Sequence, residues 1–263
     1  EIIVSPKIMY TVTSKLIAKY SSITITVSDA AKNHLYASGY FKKGAVKVIY
    51  NGVESDRFKP ENDCSHLRDE WNIPKDARVI GMIGRVNSWK GQRDFLKAAD
   101  IIMAKHPNVY TVFVGAAFEG EEWREKELAD AVAQSPYRNR IINQGYRTDS
   151  EEIHKLYDIF VLPSTNPDPL PTVVLEAMAT GKPVVGYRHG GVCEMVEEGY
   201  NGLLAEVRNP KDLASKIEAL LIDEDLRKKM GENARKRLLA YFSIEAYVQN
   251  YSAEYDRLTK EKG

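Results

Sequence analysis

The chain has 263 residues, 43% of them hydrophobic, enough for one or two packed domains. Lys plus Arg and Asp plus Glu number 37 each, so the formal charge is zero. That balance excludes both the basic excess of a nucleic-acid binder and an acidic interaction segment. No apolar run approaches the roughly 20 residues that cross a bilayer, and Glu1-Ile-Ile-Val-Ser does not read as a secretory leader. Cys64 and Cys193 lie far apart, outside any metal or redox spacing, and are expected as free thiols of a reducing compartment.

In chain order, Pro6 to Tyr20 reads as a helix with proline in its first turn. Ile23–Val27 reads as a strand, Ser28-Asp29 opens a helix to about Ser38, and Val46–Tyr50 is a second strand ending at Asn51-Gly52. One βαβ unit cannot bury both faces of its strands. Residues 1–57 are therefore expected to be the end of a larger domain and its link. Residues 58–77 form a connector with a short helix near Leu67.

Val79–Gly84 is then a buried strand, followed by Gly84-Arg-Val-Asn-Ser-Trp-Lys-Gly-Gln92 and a helix with Phe95, Ala98, Ala99, Ile102 and Met103 on one face. A strand-to-helix loop with glycines and two cations suits a phosphate, and Arg85 and Lys90 are its charged candidates; both also fit a solvated surface. The alternation continues through strand 109–115, helix 121–134, strand 141–145, helix 150–157 and strand 159–162. This spacing predicts an α/β, Rossmann-like, doubly wound parallel sheet with right-handed crossovers.

The most informative stretch is Ser164 to Glu197. Prolines 167, 169 and 171 hold an extended loop, because each fixes its own φ and disfavours helix before it. Thr172 is expected to cap a helix over 173–180, which Gly181 ends. Pro183-Val-Val-Gly186 is a short strand, and His189-Gly190-Gly191 opens the next helix. Two strand-to-helix turns thus face one sheet edge, where ligands bind. Asp168 lies in the rigid loop and Glu176 eight residues on, among Leu175, Ala177, Met178 and Ala179. A carboxylate in that company is either a structural acid near a helix N-terminus or a ligand for hydroxyls. Beyond it, Asn201–Leu204 reads as the last strand, and 210–222 and 224–241 as amphipathic surface helices. In the final helix, 243–258, the stripe Tyr247, Tyr251 and Tyr255 is expected in the core.

The Leu-Glu-Ala-Met-Ala-Thr-Gly-Lys-Pro-Val-Val core, with Asp168 and Glu176 in their spacing, resembles the Glu-x7-Glu signature of the retaining GT-B glycosyltransferases of family 4, the group 1 enzymes. The resemblance runs over nearly all of residues 23–258 and is strongest over 159–203. It implies the GT-B C-terminal, nucleotide-sugar-binding domain over 58–242. Before it would stand a remnant of the Rossmann-like N-terminal acceptor domain in 1–57, and after it a crossover helix in 243–263 that returns to that domain. In this reading Asp168 touches the donor sugar, one methylene shorter than the family's glutamate, and Glu176 holds the ribose. Arg85 and Lys90 clamp the diphosphate, so Asp168, Arg85 and Lys90 are the catalytic candidates. Tyr146 and Arg147 flank the base, Leu170, Pro171 and Thr172 line the donor, and the amides of Gly190 and Gly191 suit its β-phosphate or a sugar hydroxyl.

What the resemblance implies about partners follows from those roles. The donor is a nucleotide diphosphate sugar, with a UDP-sugar favoured and GDP-mannose next; the acceptor is a glycan or a lipid-linked glycan of polysaccharide biosynthesis. No cofactor or metal is expected: no Asp-x-Asp metal motif stands in the loops at the ligand edge, and Asn166-Pro-Asp168 does not substitute for one. The enzyme is expected in the cytoplasm, with peripheral membrane association at the inner face through the N-terminal domain. This chain alone is expected to bind donor but transfer it slowly or not at all. A non-catalytic nucleotide-sugar-binding domain and another GT-B enzyme, such as a UDP-sugar epimerase, stay open as alternatives.

Overall fold

The computed structural model describes residues 7–260. A small unit comes first: α1 (Lys7–Tyr20), β1 (Thr24–Thr26), α2 (Asp29–Ala37) and β2 (Val46–Val48). β1 and β2 pair in parallel, Thr24 with Val46 through Thr26 with Val48. Ser28 is extended at φ −160°, and its hydroxyl accepts from the Ala31 amide, which starts α2 where the sequence placed it. Pro6, expected to open α1, lies outside the described residues.

After α3 (Ser65–Glu70) the chain builds six parallel strands: β3 (Arg78–Ile83), β4 (Val109–Val114), β5 (Ile141–Gln144), β6 (Ile159–Leu162), β7 (Val184–Tyr187) and β8 (Gly202–Ala205). Their order in the sheet is β5-β4-β3-β6-β7-β8. The chain walks outward from β3 to one edge, returns beside it as β6, and walks to the other edge. The sheet is thus doubly wound, as the alternation predicted. Every residue of β6 and β7 is buried, as in strands covered on both faces.

Right-handed crossovers in opposite directions put the helices on opposite faces. α4 (Gln92–Lys105) packs against α5 (Trp123–Gln134) and α9 (Pro210–Ile222). α7 (Thr172–Ala179) packs against α6 (Ser150–Leu156) and α10 (Glu224–Tyr241). Between β7 and β8 lies the short α8 (Val192–Met195). α11 (Ile244–Lys260) leaves the main body where Ile244 donates to Val53 and Val53 to Phe242, both at 3.0 Å, and it returns to the two-stranded unit.

Two expectations fail locally. Thr172 does not cap α7: Pro171, extended at φ −68° and ψ 111°, holds the cap position and Thr172 is the first helical residue. The proline ring fixes that geometry, and no side chain caps the helix. The tyrosine stripe of α11 is not core either. Tyr255 is 67% exposed, Tyr247 and Tyr251 are half-buried against each other at 4.7 Å, and the buried residue of α11 is Glu254. Lys47 of β2 meets Glu254 at 2.6 Å, so this helix turns a carboxylate inward.

Candidate functional site

β3 and β6 are adjacent, and the chain leaves them in opposite directions, so their C-terminal ends form the switch point at which α/β sheets bind ligands. The loop after β3 carries Arg85 and Lys90. Asn87 Oδ1 accepts from the amides of Trp89 and Lys90 at 3.0 and 2.8 Å, a tight turn that sets the direction of Lys90. Gly91 follows at φ +87°, and a Cβ there would lie 1.9 Å from the Pro163 carbonyl oxygen. The Thr165 amide donates to Trp89 O at 2.6 Å, so the loops after β3 and β6 close against each other. Lys90 Nζ then meets Asp168 Oδ2 at 2.5 Å, with both side chains largely buried.

The loop after β7 completes this assembly. Gly190 stands at φ +62° with its Cβ position 2.8 Å from the backbone of Asp168, and a Cβ on Gly191 would lie 1.9 Å from Pro169 O. The Gly191 amide donates to Asp168 O at 2.8 Å. That amide, expected for a phosphate or sugar hydroxyl, is therefore engaged in holding the acidic loop. His189 Nε2 donates to Ser164 O at 2.5 Å, a further tie between loops.

A cleft of about 750 Å³ opens beside these loops, bounded by Arg85, Phe118, Tyr146, Arg147 and Glu176. The Arg85 guanidinium lies 3.5 Å from the centre of the Phe118 ring, which holds this exposed cation over the cleft. Glu176, on the cleft side of α7, accepts from His154 Nε2 at 3.1 Å. Tyr146 is 77% exposed and free to lie along a ligand. Arg147 reaches the cleft, but its guanidinium is bound by Asp149 at 2.9 and 2.7 Å and by Glu70 at 2.6 and 3.3 Å. Those carboxylates, Asp149 first, hold it above its ordinary pKa range. It ties α3 to the start of α6. Leu170 and Pro171 are buried beneath the loop, and Thr172 is exposed at the start of α7.

The structure thus gathers the expected residues into two neighbouring groups. Lys90, Asp168, Gly190 and Gly191 knit three loops together, while Arg85, Tyr146, Arg147 and Glu176 line the cleft. Sequence reasoning missed Phe118 and His154. It also missed Asn87 and Ser164, whose Nδ2 and Oγ are buried without a partner. Among the described residues, one group has metal-ligand proximity: His66, Asp149 and Glu152, within 4.8 Å of one another. Asp149 there is already bound by Arg147 and Glu152 by His66 at 3.2 Å.

An all-parallel sheet in this order, with glycine-bearing cationic loops at its switch point, defines the doubly wound α/β class, whose ligands bind at that edge. Within that class the chain belongs to the glycosyl transferases group 1 family, whose model matches residues 65–237. It is similar to spore coat protein SA of Bacillus subtilis (27% identity, 89% of this chain and 64% of the relative). It is also similar to D-inositol 3-phosphate glycosyltransferase of Corynebacterium jeikeium (33% identity, 81% and 52%). The chain therefore spans between half and two thirds of these relatives' length. Among solved structures it is similar to Anabaena HepE in complex with UDP, with TM-score 0.89 and 29% identity over 97% of this chain and 70% of HepE. HepE has also been solved with UDP-glucose, and there the TM-score is 0.87.

Proposed function

We propose that this chain forms the donor half of a retaining glycosyltransferase that takes a nucleotide diphosphate sugar, a UDP-sugar before GDP-mannose, and works without a metal. The observation that carries the reading is the convergence at the switch point. A buried Lys90–Asp168 pair, Arg85 held over the cleft by Phe118 and the cleft-facing carboxylate of Glu176 come from the loops after β3, β4 and β6 and from α7. Support for uridine comes from the UDP and UDP-glucose bound by HepE. The named role of a capsular polysaccharide glycosyltransferase of Staphylococcus aureus, 27% identical, supports a glycan or lipid-linked acceptor. Among the described residues no helix is long and apolar enough to cross a membrane.

In this reading Glu176 accepts from ribose hydroxyls, and Asp168 accepts from a donor-sugar hydroxyl once Lys90 turns to the diphosphate. The bond from the anomeric carbon to the β-phosphate oxygen breaks, and the acceptor oxygen bonds that carbon on the same face. The acceptor's proton passes to the departing phosphate. Arg85 and Lys90 stabilise the charge that grows on the phosphate, as a metal does in other transferases. Titration with UDP, GDP and ADP tests the donor, with UDP expected to bind most tightly and EDTA expected to leave binding unchanged. Product release from labelled UDP-sugar tests transfer. Loss of UDP binding on chelation, restored by magnesium, would overturn the metal-free reading.

A further inference from the structure

We infer that His154 is a positioning residue for Glu176, fixed as its neutral Nε2–H tautomer, and that it turns the second carboxylate oxygen of Glu176 toward a ligand's ribose. The inference rests on the reading of Glu176 as the ribose ligand.

Glu176 sits in α7 between Leu175 and Ala177, both fully buried, while its own side chain is 18% exposed at the cleft. Its carboxylate is bonded by His154 of α6, with Nε2 3.1 Å from Oε2. An ionised carboxylate only accepts, so Nε2 carries the proton. The other ring nitrogen settles the rest. His154 is 0% exposed, and its Nδ1 is buried with no partner. The ring stands against Phe160 at 5.1 Å and against Phe58 and Tyr157 at 6.1 Å. An N–H pointed into that apolar cage would be an unsatisfied donor, whereas a bare ring nitrogen is the cheaper group to bury. The neutral tautomer with its proton on Nε2 satisfies both ends.

The consequence falls on Glu176. One oxygen is tied to a fully buried ring, which restrains the side chain and leaves Oε1 for the cleft. Arg57 borders the same cleft and feels the Glu176 charge, although its own partner is Glu151 at 3.0 Å. Without His154, Glu176 is free to swing toward that cation and away from a ribose.

The test compares UDP with 2′,3′-dideoxy-UDP by calorimetry. The wild type should prefer UDP by about tenfold, the scale of a hydrogen bond to a charged group. H154F keeps an aromatic ring in the cage without a donor. It should lose most of that preference, with dideoxy-UDP affinity changed less than about twofold. H154Q can place an amide N–H where the ring Nε2 stood and should restore the preference; H154N is too short to reach and should not. If H154F does not fold, the Gln and Asn pair decides alone. ¹⁵N spectra should show His154 protonated at Nε2 near neutral pH. Undiminished preference in H154F and H154N, equal losses for both nucleotides, or a proton on Nδ1 would each overturn the positioning role while leaving the ribose reading intact. A wild type that does not distinguish the two nucleotides would overturn the ribose reading itself, and this inference with it.

Discussion

Lys90 and Asp168 meet at 2.5 Å, so a diphosphate held by Lys90 would compete with Asp168 for the ammonium. We predict that Lys90→Ala weakens UDP binding by about 2–3 kcal/mol, the scale of a charge-assisted bond in a partly dry site. Uridine should be nearly indifferent to the change, and equal losses for uridine and UDP would take Lys90 off the phosphates. Asp168 and Glu176 stood out in the sequence as candidates because a proline-held loop and an apolar helix gave each an unusual setting. Phe118 and His154 were not, because each matters through a partner distant in sequence. Phe118 lies under Arg85, 33 residues before it, and His154 lies 22 residues from Glu176. The pairing of Arg147 was hidden for the same reason: its partner Glu70 lies 77 residues away.

At the scale of elements, apolar runs and periodicity placed every strand of the main sheet, and β6 and β7, buried on both faces, left a continuous signal. Helix starts were harder, as Thr172 illustrates, because proline and threonine both suit that turn and only the extended geometry of Pro171 separates them. The loops show a division of labour among glycines. Gly191 has φ −66°, which any residue adopts, yet a Cβ would lie 1.9 Å from Pro169 O. Gly39 has φ +76° with open space around its Cβ position. Gly191→Ala should therefore force the acidic loop aside, costing about 1–3 kcal/mol by overpacking and weakening UDP binding as Asp168 moves. Gly39→Ala should cost about 1 kcal/mol through backbone conformation and leave UDP binding unchanged. Denaturant midpoints and UDP titrations on both variants check the contrast. An unaffected Gly191→Ala would mean the loop is not clamped there.

At the scale of the whole molecule, the small N-terminal unit is joined to the main sheet through polar groups beside the candidate site. Glu194, on α8 directly after the Gly190-Gly191 loop, accepts from the Asp29 and Ala30 amides at 2.8 Å each and so holds the free N-terminus of α2. Burial and this neighbouring carboxylate push the Tyr50 phenol up to about 12. On the other side of the unit, Glu254 of α11 is held between Arg257 at 2.5 Å and Lys47 at 2.6 Å. Arg257, then Lys47, lower its pKa from 4.5 to about 2. The folded protein thus binds fewer protons at Glu254 than the unfolded chain does over that window. The stability from this carboxylate is fully present above pH 4.5 and is lost as pH falls toward 2. We predict that acid loosens α11 from β2 before the six-stranded sheet, whose core is apolar, begins to open. Amide protection across α11, relative to the intrinsic exchange rate at each pH, should fall between those two pH values while protection in β6 and β7 stays high. In Glu254→Gln, α11 should already exchange faster at neutral pH, and acid should add little more. Equal acid sensitivity of α11 in the variant and the wild type would show that another group governs the docking of this helix.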